Sequence, residues 1–112
     1  MATRDEKLEE LISMQTAEFL NRNADRTSMI TVTRTIFNRK SNRATIFITV
    51  LPDSAEDKAL AYVERRRRDI QEFISKNIRL RTIPHLEISI DQGEKNREKI
   101  EEIFRAEKNN QK

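Results

Sequence analysis

Four consecutive arginines, Arg65–Arg68, form the group of side chains with the clearest potential for chemistry. Guanidinium groups bind phosphate oxygens through paired hydrogen bonds, so such a cluster is typical of a polyanion-binding surface. Acidic residues stand four positions from Arg65 and from Arg68, which leaves a salt-bridged, solvated helix face as the alternative interpretation. Arg66 and Arg67 have no acid at that spacing. The run therefore favours contact with nucleic acid.

The other basic residues are concentrated in the same region and in one earlier block. Residues 22–43 carry six basic side chains against one acidic one, and residues 58–81 carry eight against three. The stretches around these blocks are acidic, and we expect folding to merge the two blocks into one basic face. The candidate RNA-binding residues are Arg34, Arg39, Lys40, Arg43, Arg65, Arg66, Arg67, Arg68, Lys76, Arg79 and Arg81.

Catalytic and metal-binding chemistry has little support. The chain has one histidine and no cysteine, which excludes disulfides, thiolate metal sites and a cysteine nucleophile. His85 follows a proline and has no nucleophile beside it. Two acidic groups could be imagined as acid–base pairs or a cation site, but capping and helix solvation explain them better, and no calcium or zinc spacing is present. We predict no enzymatic activity and no cofactor. The acidic groups are Asp53, Glu56 and Asp57, and Glu98, Glu101 and Glu102.

Length and composition limit the protein class. The 112 residues suffice for one domain, which we place at residues 1–107 with a frayed tail at 108–112. The formal net charge is +3, and 37% of residues are charged. No apolar run approaches the roughly 18 residues of a membrane span, and the acidic start resembles no targeting segment. We therefore expect a cytoplasmic monomer that does not contact membranes.

The elements that must position these side chains follow from periodicity. An amphipathic helix is predicted from Thr3 to about Asn21. Alternating β-branched residues predict a hairpin of two strands, Met29–Phe37 and Arg43–Leu51, around a polar turn that carries three of the candidate bases. Bases at such a turn also serve solubility. Arg34 falls among the inward-facing positions of the first strand, where pairing with a carboxylate would give it a structural role.

The rest of the chain predicts two helices, a third strand and a last helix. Helical periodicity extends from Ser54 to about Asn77, too long for a small domain, which indicates an interruption near Arg65–Arg68. The alternative is a straight helix in which the Arg67 side chain extends along the core so that its guanidinium group reaches water. A strand over residues 86–90 and a charged helix over 94–107 follow. This order predicts a two-layer α+β sandwich.

One face of the three-stranded sheet should carry the helices and the other mostly Thr, Ser and charged residues. Phe37, Phe47 and Leu51 would interrupt that outer face unless the last helix covers them.

Two stretches resemble the ribosome-binding factor A family of small-subunit assembly factors. Residues 30–51, ITVTRTIFNRKSNRATIFITVL, resemble its signature hairpin, and residues 78–91, IRLRTIPHLEISID, resemble its basic stretch, proline and third strand. The resemblance covers about residues 5–106 and implies a KH-like fold of type II topology. KH domains usually bind single-stranded RNA at a GxxG loop between paired helices. This family has a kinked Ala-x-Gly there; the equivalent stretch here is Arg66–Arg68, with neither alanine nor glycine.

The resemblance also implies a function. Family members bind the free, immature small ribosomal subunit and assist late maturation of its rRNA, with no enzymatic step or cofactor. The assignment of contacts to the arginine run comes from charge and not from the family. The alternatives are a small protein–protein interaction module and a general single-stranded RNA-binding protein.

Overall fold

A computed structural model describes residues 3–23, 28–80 and 82–110, with side chains described as far as residue 105. Part of the polar turn predicted over residues 21–28 therefore lies outside the described residues, as do Arg81 and the last two residues of the predicted tail. A short 3-10 turn, Asp53–Ala55, precedes the second helix. The elements are α1 (Arg4–Arg22), β1 (Met29–Asn38), β2 (Arg43–Leu51), α2 (Glu56–Arg65), α3 (Arg67–Asn77), β3 (His85–Ile90) and α4 (Gln92–Asn110).

The three strands form one sheet in the order β1-β2-β3. β1 and β2 are antiparallel, which confirms the predicted hairpin, and β2 and β3 are parallel neighbours joined through α2 and α3. The hairpin turn closes with Asn42 at φ 52°, a left-handed conformation that asparagine tolerates better than most residues. The backbone N–H of His85 donates to the carbonyl of Asn42, so β3 begins beside this turn.

A β-bulge at Thr33 changes which side chains of β1 face the core. The register shifts between Val32 and Arg34, and one extra residue reverses the alternation that follows. Thr35 is therefore buried while Ile36 is 47% exposed. The prediction that Arg34 lies at an inward-facing position is wrong, because period-two alternation cannot show an inserted residue. Phe37, predicted for the outer face, faces inward for the same reason.

The helices cover the inner face of the sheet. Alternate residues of β2, from Ala44 to Val50, are buried as predicted. The α1 helix packs on β1, where the Ser13 and Thr35 hydroxyls lie 2.7 Å apart and Glu9 accepts a hydrogen bond from the backbone N–H of Phe37. The α2 helix packs on β2 and β3, and α3 packs on α1. Fully buried side chains join all these elements: Ile12, Ile46, Ile48, Val63, Ile70, Ile74 and Leu86.

The predicted interruption of the long helix is confirmed at Arg66. Its backbone has φ −90° and ψ 5°, and its N–H is shared between the carbonyl of Tyr62, four residues back as in an α-helix, and that of Val63, three residues back as in a 3-10 turn. This conformation has negative φ, so it needs no glycine. The absence of the family's Ala-x-Gly is thus compatible with a break. Arg67 is exposed and does not join the row of buried residues on the inner sides of α2 and α3, because the break at Arg66 interrupts the helical repeat.

The last helix begins against the body of the protein and carries exposed apolar residues farther on. Lys95 forms a 2.8 Å ion pair with Glu56 at the start of α2, and Lys99 lies 3.7 Å from Asp53. Ile100, Ile103 and Phe104 are more than half exposed. The helix runs to Asn110, three residues beyond its predicted end. No described helix is apolar over enough of its length to cross a lipid bilayer.

Candidate nucleic-acid interface

The junction arginines, Arg65 to Arg68, are all exposed where α2 meets α3. Of these four side chains only that of Arg66 has a salt bridge to a described residue, a 3.5 Å contact with Asp69. Asp69 thus pairs with Arg66 and not, as the alternative interpretation of a salt-bridged face required, with Arg65, because the break at Arg66 removes the common helical face on which residues four apart are neighbours. Arg68 likewise has no salt bridge to Glu64 or Glu72. Most of this positive charge is therefore available to a ligand.

Arg66 is held at the junction by its neighbours. Its guanidinium carbon lies 5.4 Å from the centre of the Tyr62 ring, a cation–π contact. The Tyr62 hydroxyl donates a 2.8 Å hydrogen bond to the carbonyl of Asn23, the residue that caps the C-terminus of α1. The junction is thus fixed beside the end of α1. Arg22, in the last turn of α1, has its guanidinium 5.5 Å from the Phe73 ring of α3 and is paired with Glu18 at 2.6 Å.

The turn patch, Arg39, Lys40 and Arg43, is exposed at the β1–β2 turn. Arg39 makes a 2.6 Å ion pair with Asp5 in the first turn of α1, and Arg43 makes a 2.8 Å ion pair with Glu87 of β3. Lys40 has no salt bridge among the described residues. Much of the charge of this patch is thus neutralised within the protein.

The two basic groups lie at opposite ends of α1. Asp5, which binds Arg39, and Asn23, which accepts the hydrogen bond from Tyr62, are about 27 Å apart at 1.5 Å per helical residue. Charges interact little beyond about 8 Å at physiological salt, so the groups are electrostatically separate. The two blocks therefore do not form one compact cluster, and the prediction that they belong to one basic face stays a prediction.

The remaining candidates of the second basic block follow the junction in the chain. Lys76 and Arg79 are exposed, at the end of α3 and in the segment that leads to β3. Arg81 lies outside the described residues.

Arg34 occupies a separate position on the outer face of the sheet. Its guanidinium carbon lies 4.6 Å from the ring centre of Phe47, its cross-strand partner, and its Nε is 3.4 Å from Asp91. Asp91 is buried and also accepts hydrogen bonds from the Thr33 hydroxyl at 2.6 Å and the Glu94 N–H at 3.0 Å. The bond from Thr33, followed by that from Glu94, lowers the pKa of Asp91 although burial opposes this. Arg34 is thereby oriented on the sheet, and its side chain is 57% exposed.

Sequence reasoning missed two groups that shape the surface. Asp91 orients Arg34 across the sheet, and only knowledge of the bulge could have connected two residues so distant in the chain. Lys58, Tyr62 and Arg65 line a groove beside α2, and their spacing of four and then three residues was a readable signal of one helical face.

Three of the six acidic residues considered for catalysis have salt-bridge partners. Glu56 and Asp53 contact Lys95 and Lys99 of α4. Glu101 accepts a hydrogen bond from Arg97 at 2.6 Å. His85 is exposed at the start of β3. Across the part of the chain that the structure describes, no group of three or more acidic or histidine side chains could hold a metal ion.

Comparison with known proteins finds relatives of a single family. A family model described as ribosome-binding factor A matches residues 4–104. The ribosome-binding factor A of Fervidobacterium nodosum is 31% identical over 67 residues, which cover 59% of this chain and 54% of the relative. The matched stretch thus spans about half the length of that curated relative.

Solved structures of the same name share the fold. The crystal structure of ribosome-binding factor A from Thermus thermophilus matches with a TM-score of 0.70 and 19% identity, over 79% of this chain and 97% of that one. Coordinates of the Thermus thermophilus factor, a homology model fitted into a cryo-EM map of a 30S–RbfA complex, match with a TM-score of 0.66 and 20% identity, over 76% and 92%. The predicted α+β, KH-like architecture is confirmed by this similarity.

Proposed function

Because the chain belongs to the ribosome-binding factor A family, we propose that it binds the rRNA of the free, immature small ribosomal subunit and assists late maturation without catalysing a reaction. The observation that carries this proposal is the set of junction arginines, of which three have no salt bridge among the described residues. Unpaired guanidinium groups at a fixed helix junction match the phosphate oxygens of RNA. The 30S–RbfA complex of the Thermus thermophilus factor supports the choice of subunit.

The mechanism is one of differential binding. The protein acts as a monomer whose junction arginines dock on rRNA phosphates, with Arg34, Arg39, Lys40, Arg43, Lys76, Arg79 and Arg81 as further contacts. Binding shifts the rRNA equilibrium only to the extent that immature and mature conformations bind with different affinity. The protein would hold an immature conformation and dissociate as the mature one forms.

Charge reversal at the junction tests the proposal. Arg67 and Arg68 are exposed and unpaired among the described residues, so the double variant Arg67→Glu, Arg68→Glu should fold normally. We expect it to lose co-sedimentation with free small subunits at physiological salt. The single variants Arg67→Glu and Arg105→Glu are compared as well, each reversing one charge, because Arg105 is exposed on α4, 3.9 Å from Glu101 and remote in sequence from the junction.

Salt dependence provides the second readout. Each phosphate contact contributes about 0.7–0.9 to the slope of log affinity against log salt, so loss of two contacts should reduce that slope by about 1.4–1.8. Retained association of the folded double variant, with an unchanged slope, would show that the junction is not the RNA-binding surface.

A second candidate function is protein binding through α4. Ile100, Ile103 and Phe104 form an exposed apolar stripe at helical spacing, a feature that often marks a protein interface. This function predicts that a protein partner stays bound after RNase treatment, with little sensitivity to salt, and is lost in Phe104→Ser. Full release by RNase would contradict it.

A further inference from the structure

Arg34 is fixed by two contacts on the outer face of the sheet, the face opposite the helices. Its guanidinium carbon lies 4.6 Å from the centre of the Phe47 ring, and its Nε lies 3.4 Å from Asp91. The side chain nevertheless remains 57% exposed. A side chain that is already held in place loses less conformational entropy when it binds a ligand. Arg34 is therefore preorganised for an external contact.

The negative charge of Asp91 is shared among several partners. Its carboxylate accepts a 2.6 Å hydrogen bond from the Thr33 hydroxyl and a 3.0 Å hydrogen bond from the Glu94 N–H, at the N-terminus of α4. The positive end of the α4 dipole also lies at this position. The bonds from Thr33 and Glu94 lower the pKa of Asp91 more than Arg34 does. Asp91 thus orients Arg34 without cancelling its charge.

The contacts of Arg34 leave it able to bind an anion. In the turn patch, by contrast, Arg39 donates a 2.6 Å hydrogen bond to Asp5, so a ligand there must displace a carboxylate. The separation of 3.4 Å between Arg34 and Asp91 is longer, and the contact with Phe47 is made with the ring and uses no N–H donor. A guanidinium held in this way can donate paired hydrogen bonds to the oxygens of one phosphate.

We propose that Arg34 binds a phosphate of the small-subunit rRNA from the outer face of the sheet, with Asp91 and Phe47 as the residues that position it. The inference rests on the proposed function and extends it, because the junction arginines belong to the helices that cover the inner face. One molecule would then contact rRNA on both of its faces. Because Arg34 is held in place, it selects rRNA conformations that present a phosphate at that point.

Co-sedimentation of the full chain with free small subunits, measured over a range of salt concentrations, tests the contact itself. Arg34→Gln should weaken association by about tenfold and lower the slope of log affinity against log salt by about 0.7–0.9, the value for one phosphate contact. Arg34→Lys should weaken association with the slope retained, because lysine keeps the charge but lacks the planar set of donors. Arg105→Gln removes an exposed arginine of α4 and is the matched control, which should change neither quantity.

Asp91→Asn and Phe47→Leu test the positioning. If Asp91 acted only through its charge, its neutralisation would strengthen binding to RNA, as we expect for the control Asp57→Asn at an exposed acid of α2. Loss of positioning should instead weaken association by about twofold to fivefold in Asp91→Asn and in Phe47→Leu, the range that corresponds to one cation–π contact. Both losses should vanish in the Arg34→Gln background, because they act through Arg34. Circular dichroism confirms that each variant is folded at the assay temperature.

The outcomes separate this inference from the proposed function. Unchanged association in Arg34→Gln would overturn the inference, and so would a loss that leaves the salt slope unchanged. Losses in Asp91→Asn and Phe47→Leu that persist in the Arg34→Gln background would overturn the positioning. If the Arg67→Glu, Arg68→Glu variant alone fails to associate, the proposed function stands without the outer-face contact. If that variant associates normally while Arg34→Gln binds weakly with a reduced slope, rRNA is bound from the outer face and the junction is not the docking surface.

Discussion

Replacing Asp91 by asparagine should destabilise the protein and remove a pH dependence. Asp91 is 5% exposed and accepts hydrogen bonds from the Thr33 hydroxyl and from the backbone N–H of Glu94 at the start of α4. Asparagine has the same shape and remains a good helix cap, so Asp91→Asn removes mainly the negative charge. Hydrogen bonds to charged groups contribute about 1.5–3 kcal/mol each, of which asparagine keeps a part.

The expected loss is therefore about 1–2 kcal/mol in the free energy of unfolding at neutral pH. Asp91→Ala also removes the cap, which is worth about 1 kcal/mol, and should cost about 2–4 kcal/mol in total. Urea unfolding followed by circular dichroism measures both, with the slope against urea used to confirm that the unfolded state is unchanged.

The pH dependence has a definite sign. The hydrogen bond from Thr33 and that from Glu94 lower the pKa of Asp91 below 3.8 in the folded state. As pH falls, the unfolded chain therefore takes up the proton first, and the stability contributed by the carboxylate is lost. The stability difference between wild type and Asp91→Asn should stay constant above about pH 5 and shrink below it. A difference that is independent of pH, or that grows in acid, would refute the assigned hydrogen bonds.

Two further predictions test the bulge and the backbone. Ile36→Ala should change the free energy of unfolding by less than about 0.5 kcal/mol, because Ile36 is exposed. Ile46→Ala should lower it by about 2–5 kcal/mol, because it leaves a cavity in the core. Thermal unfolding of the two variants measures the difference. Asn42→Gly should leave the free energy of unfolding unchanged or raise it, because φ at this residue is 52°. Arg66→Gly should lower the free energy of unfolding by about 0.5–1 kcal/mol, because φ there is −90° and glycine gains nothing from that conformation. Urea midpoints measure both, and stabilisation by Arg66→Gly would contradict the junction geometry.

The elements could be predicted because each carries a local signal. The hairpin follows from alternating β-branched residues on both sides of a polar turn, and the break at Arg66 follows from a helical stretch too long for the domain. These signals depend on residues near each other in the chain. The structure confirms the order of the elements and the buried face of β2, and it shows that β2 and β3 are parallel.

The predictions that failed for the candidate site concern which side of the sheet a residue faces and which residues lie close together, and both are set by tertiary structure. One inserted residue at Thr33 places Arg34 and Ile36 on the opposite side of the sheet, and the alternation of residue types in the sequence does not show such an insertion. Arg39 is neutralised by Asp5, a residue 34 positions away that becomes a neighbour only when α1 packs on the hairpin. The sequence showed which residues are basic, whereas pairing across the fold determines which of them can bind a ligand.

The separation of the two basic groups gives the proposed mechanism a geometric basis. A single compact cluster would bind any dense array of phosphates and would distinguish rRNA conformations poorly. Two groups held about 27 Å apart by α1 can both be occupied only where rRNA phosphates present a matching separation. Loss of that match removes one set of contacts and lowers affinity, as differential binding requires. Because Asp5 and Glu87 already neutralise Arg39 and Arg43, the turn patch would bind more weakly than the junction and would act as the element that distinguishes between conformations.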